Sequence, residues 1–156
     1  MQIKENVAVT AEWLFSYEDI NTGHKWTIGP YRNKVVQTGL ENLATLMTGE
    51  VSSLTAATHC VIGSSDVAAA IDDDVSDMGE VERLPITSKS HQGAIARLRT
   101  FFGSGEGNGD HECVGLVARA TDQTGSGTLI NRLVQPFSKA SNQVLTIEVL
   151  WTFQGV

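Results

Sequence analysis

The sequence predicts a mainly β fold: an antiparallel β-sandwich-like domain with one α-helix, at about residues 39–48. Three observations carry that prediction. The closing segment "NQVLTIEVLWTFQ" alternates, with Leu145, Ile147, Val149, Trp151 and Phe153 forming a wholly apolar face. Glycine-rich turns separate several other short apolar runs. Only one stretch, "TGLENLATLMTGE", has helical spacing. At 156 residues the chain fits one domain, 1–156, with enough length for a real core.

In chain order, "NVAVTAEWLFSYEDINTGHKWTI" reads as a hairpin, with Val7, Val9, Ala11, Trp13 and Phe15 on one face and "NTG" at the turn. Pro30 is expected to limit how far the return strand pairs. Two places are open to this hairpin, roughly residues 1–30: packed on its own domain, or an arm contacting a neighbouring subunit. In the helix, Thr38 and Glu41 have the spacing of a capping box. Leu40, Leu43, Ala44 and Met47 form one apolar stripe expected to face the core, and Gly49 supplies the stop.

"ATHCVIG" then predicts a short buried strand, and "SDVAAAIDD" a loop or one or two loose helical turns. "EVERLPITS" is interrupted by Pro85 and suits an edge or bent strand. In "AIARLRTFF", Ala96, Leu98, Thr100 and Phe102 make the better core face, against Ile95, Arg97, Arg99 and Phe101. "GSGEGNGD" (103–110) predicts a mobile hairpin tip. "HECVGLVARA" and "TLINRLVQPFS" are strands joined by the turn "TDQTGSG".

The net charge of −7 argues against direct nucleic-acid binding, which rests on clustered Lys and Arg. No apolar run approaches a membrane span, and the start "MQIKENVAVT" lacks the pattern of a signal peptide, so a soluble chain made in the cytoplasm is expected. Cys60 and Cys113 sit in apolar contexts and read as core residues; pairing them requires neighbouring strands.

The densest candidate for chemistry is the acidic run Asp66, Asp72, Asp73, Asp74, Asp77, Glu80 and Glu82. It lacks the spacing of a calcium loop, so a solvated rim or a subunit contact is the expected role. The glycine loop 103–110 has no lysine and no following helix, unlike a phosphate loop. His59-Cys60 and His111-x-Cys113 offer zinc-type ligands, but neighbours on a strand point to opposite faces, against a shared ion. His24 and His91 lie apart from these. No nucleophile elbow is present, "IGSSD" included. No catalytic, metal-binding or cofactor-binding residue is expected.

One ordered series of motifs stands out. "NKVVQTGLENLATLMTG" carries Asn33, Val35, Gly39, Leu40 and Leu43; "VIGSS" carries Val61, Ile62, Gly63, Ser64 and Ser65; "EVER" runs from Glu80 to Arg83. Glu112, Gly115 and Leu116 follow, and then Leu129, Arg132, Lys139, Leu145 and Trp151. Over about 120 residues, on the order of one domain, this series resembles tailed-bacteriophage structural proteins of tail, tail-fibre and baseplate modules. The resemblance departs at "DVAAAIDDD", where prolines are common in that group, and at the long glycine loop.

That resemblance implies a non-enzymatic virion component, located in the tail tip, baseplate or fibre attachment. Its partners would be copies of itself and other virion proteins, with no membrane. Two alternatives remain: a capsid decoration protein on the head shell, or a host-glycan-binding module using Trp26 and Tyr31. Trp13, Trp26 and Trp151 all lie in strand segments, where packing roles are the simpler reading.

Overall fold

The computed structural model describes residues 7–49 and 56–155. The first six residues of the predicted N-terminal hairpin fall outside this range. The chain forms β1 (Val7–Asp19), β2 (Lys25–Arg32), β3 (Lys34–Val35), α1 (Gln37–Thr48), β4 (Ala57–Gly63), β5 (Glu80–Pro85), β6 (Ser88–Gln92), β7 (Ile95–Phe102), β8 (Gly109–Ala118), β9 (Thr128–Lys139) and β10 (Gln143–Gly155). They make two five-stranded sheets: sheet A in the order β2-β1-β10-β7-β6, and sheet B in the order β3-β9-β8-β4-β5. All adjacent pairs are antiparallel. The predicted sandwich-like class with one helix is the observed one.

The main core lies between the sheets. Ala11, Trp13, Phe15 and Tyr17 of β1 meet Leu145, Ile147, Val149 and Trp151 of β10 within sheet A, and Cys60, Ile62, Val114 and Leu116 face them from sheet B. In β7 the inner residues are Ala96, Leu98, Thr100 and Phe102, as the alternation requires. From Val7 onward the N-terminal hairpin lies inside sheet A, where β1 pairs with β10 along its whole length. Pairing of β2 continues past Pro30 to Tyr31 and Arg32 after a register shift between Trp13 and Phe15. Gly29 and Pro30 have no register partner in β1, so Pro30 limits the pairing without ending it, and a bulge lets the strand run two residues further.

Three expectations are overturned. α1 has no Thr38 cap: Val36 is the N-cap, without a side-chain cap bond. Thr38 Oγ1 instead donates to Leu129 O at 2.6 Å, and Gln37 Nε2 reaches Glu41 Oε1. Nor does the apolar stripe face the core. Gly39 and Asn42 are the buried helix residues, whereas Leu40, Ala44 and Met47 are exposed. The reason is close approach to β9: a Cβ at position 39 would lie 2.1 Å from Ile130 O. Glycine lets the backbones touch, and that contact fixes the rotation of the helix about its axis. The helix stop is as expected, with Gly49 in the left-handed region at φ 66°.

The third correction concerns the glycine loop. β7 belongs to sheet A and β8 to sheet B, so residues 103–108 cross between sheets and are no hairpin tip. "ATHCVIG" is β4 and "EVERLP" is β5, at the edge of sheet B. β6 has no counterpart in the sequence reading.

Candidate functional site

Loop 64–79, which contains most of the acidic run, lies on the outer face of sheet B. Beneath it a second apolar cluster gathers Val36, Val61, Val75, Met78, Cys113, Val117 and Leu129. The loop descends very close to the sheet at Gly63, where a Cβ would sit 2.0 Å from Met78 O. Where the loop meets the sheet, its backbone polar groups must be satisfied without water, although most of its side chains are exposed. The acidic and basic side chains of the region do that work.

Arg132, on β9, is 1% exposed and points outward through sheet B. Its guanidinium meets Asp73 Oδ2 at 2.8 Å, Ser65 Oγ at 3.0 Å and the Val67 carbonyl at 2.9 Å. Asp73 also accepts the Ala70 N–H and is itself buried. Asp74 and Asp77 cap a short 3-10 turn, Val75–Met78, in a reciprocal capping box. The Ser76 hydroxyl and amide hold the Asp74 carboxyl below its usual range.

A second buried cation, Arg83, makes a bidentate pair with Glu80 at 2.5 and 2.6 Å. Its Nη1 also donates to the carbonyls of Thr121 and Ser126 in the β8–β9 turn, and Glu80 accepts the Gly125 N–H. Burial pushes the Glu80 carboxyl upward, but the Arg83 and Gly125 donors outweigh it and the net shift is downward. The third, Lys139, is 2% exposed and donates to Asn108 Oδ1 at 2.7 Å and Ser104 O at 3.4 Å. In that glycine loop Glu82 accepts the Gly107 N–H, and Glu106 accepts the Gly103 N–H. Desolvation depresses the Lys139 ammonium despite Glu106 and Glu82. Each of the three cations therefore ties a strand of sheet B to a loop.

The acidic run is accordingly not a single site. Asp73, Glu80 and Glu82 hold loops, Asp74 and Asp77 cap a turn, and Asp66 and Asp72 are exposed. Among the described residues, no group of three His, Cys, Asp or Glu is placed to hold a metal ion. His59 bonds Asp122 at 3.0 Å and Thr58 Oγ1 at 3.0 Å. That hydroxyl also donates to Val117 O and accepts the Ala120 N–H, so it is committed to backbone. His111 is buried against Phe137 with Nε2 on the Gly107 carbonyl, and its Nδ1 has no partner among the described residues. His24 and His91 are exposed.

β4 and β8 are neighbours, yet Cys60 and Cys113 are free and buried. Cys60 faces the core between the sheets and Cys113 the outer cluster, so they lie on opposite faces. Burial pushes the Cys60 thiol up to about 12 and the Cys113 thiol upward as well.

Trp13 and Trp151 are core residues. Trp26 stacks on Tyr17 at 5.2 Å and on His24 at 5.3 Å, and Tyr31 meets Phe15 edge-on. Trp26, Tyr17, Ile28, Phe137, Asp110 and Lys139 line an open cleft of about 530 Å³ at one end of the sandwich. Burial, with Tyr31 adding to it, raises the Tyr17 hydroxyl to about 12. Sequence reasoning missed Arg83, Arg132 and Lys139 as loop anchors. The available signal was a cation inside an otherwise apolar strand, as in "TLINRLV".

No family model, curated protein or solved structure matches this chain.

Proposed function

We propose that the chain is a non-enzymatic structural component of a tailed-phage virion, in the tail tip, baseplate or fibre attachment. It works by assembling with copies of itself and with other virion proteins. One observation carries this reading: most of the residues behind the sequence resemblance are spent on holding the fold. Gly39 and Gly63 permit backbone contact, Asn33 accepts the Trp13 indole N–H at 2.8 Å, and Leu116, Leu129, Leu145 and Trp151 fill the cores. Glu80 with Arg83, Ser65 with Arg132, and Lys139 anchor the loops. A motif set that preserves architecture, with no reacting group in it, suits a scaffold protein.

Antibody against this chain, applied to purified particles from a host encoding it and viewed by electron microscopy, tests the proposal. Label at the tail end is the expected outcome. Label spread over the head shell would transfer the protein to capsid decoration, and particles without label would end the virion reading.

A further inference from the structure

The two outward sides of the sandwich differ in a complementary way. On the sheet B side, loop 64–79 is joined to the start of α1 through Gln37 N–H and Ile71 O at 2.7 Å. Here Leu40, Met47, Val67 and Ile71 are 41%, 88%, 67% and 46% exposed, beside the exposed carboxylates of Asp66 and Asp72. On the opposite side, the outer face of sheet A exposes Ile95 and Phe101 around Arg97 and Arg99. Those two cations share one carboxylate: Glu148 lies 3.6 Å from Arg97 Nε and also pairs with Arg99. A shallow hollow of about 460 Å³ lies beside Phe101 and Arg99.

We propose that these two surfaces bind each other between copies of the chain, head to tail. Charge selects this arrangement over a two-fold one. Two copies meeting through their α1 sides would set acidic loop against acidic loop, and two sheet A faces would oppose the excess positive charge that Arg97 and Arg99 keep after sharing Glu148. Only the mixed contact brings unlike charge and apolar surface together on both sides. The loop is needed as well as the helix, because a 12-residue helix is only about 18 Å long. Its exposed strip falls well short of the roughly 800 Å² per partner of a standard interface. A contact between different patches of one chain closes into a ring or continues as a filament. The inference rests on the assembly reading above and specifies its geometry.

Two variants test it. Leu40→Glu/Met47→Glu blocks the helix side, and Arg97→Ala/Phe101→Glu blocks the sheet A side; all four positions are exposed. Light scattering on concentrated wild-type protein should give a multiple of the chain mass. Each variant alone should be a monomer, whereas an equimolar mixture should form a dimer, since each supplies the face the other lacks. That rescue also proves that both variants fold. Variants that keep the wild-type mass, or a mixture that stays monomeric, overturn the proposal. A wild-type monomer at every concentration overturns it too, while leaving the virion reading to the particle-labelling experiment.

Discussion

Sheets A and B enclose the same core but solve different problems on their outer faces. In sheet A, β7 and β10 alternate between buried and open positions along their length. In sheet B, β8 is buried from Cys113 to Ala118 and β9 from Leu129 to Leu133. The difference comes from what lies outside. In the single chain solvent covers sheet A, so beside Ile95 and Phe101 its outer face carries Thr, Ser and charged groups paired across strands, such as Glu12 with Arg32. A loop and the start of a helix cover sheet B. That cover brings backbone polar groups into a dry place, and buried cations must satisfy them. A charge thus means different things on the two sheets: on A it is solvated surface, and on B it fixes a fold.

Removing Arg132 is the severest way to break this comparison. Arg132→Met keeps the bulk of the side chain but leaves the Asp73 carboxylate buried opposite an apolar group. Breaking one partner of a buried pair costs about 3–5 kcal/mol. Chemical denaturation should show a loss of that size, and Arg132→Met/Asp73→Ala should recover part of it. A single-variant loss below about 1 kcal/mol would mean that the pair behaves like a surface one.

Glu80 sharpens the comparison through pH. Its folded-state carboxyl lies below its ordinary value, so it contributes stability that is present above the unfolded value, roughly 4.3. That contribution is lost as pH falls through the folded value. Wild-type stability should therefore decline from about pH 5 downward, and Glu80→Gln should make the decline shallower. The check is urea midpoints at successive pH values for both proteins. Parallel profiles would show that Glu80 titrates alike in folded and unfolded chains.

The part of this arrangement that could be read from the residues was the part set by alternation. The faces of β7 and β10, the extent of β4 and the stop at Gly49 follow from local pattern. The orientation of α1 does not, because it depends on how closely Gly39 meets the Ile130 carbonyl, 91 residues away. Asp73 and Arg132 are 59 residues apart, so neither advertises the other. The acidic run was read as rim or interface, yet Asp73, Glu80 and Glu82 are loop anchors. β6, "SKSHQ", has no apolar residue to signal a strand and exists through its pairing with β7. Local pattern thus describes strands with apolar alternation or short apolar runs well, and a polar edge strand, the helix rotation and the loop anchors poorly.

The smallest expected effect lies on the open face of sheet A. Arg97 is, like Arg132, an arginine on a central stretch of strand next to a carboxylate, but its side chain is 47% exposed. Arg97→Ala leaves Glu148 still paired with Arg99, so no charge is stranded. Water also solvates whatever the substitution uncovers. Exposed pairs contribute about 0.2–1 kcal/mol, and this one shares its carboxylate, so a loss under about 0.5 kcal/mol is expected in the denaturation assay. A loss approaching that of Arg132→Met would mean that the outer face of sheet A is not a solvent face in the free chain. The distinction between the two sheets would then fail where it is simplest.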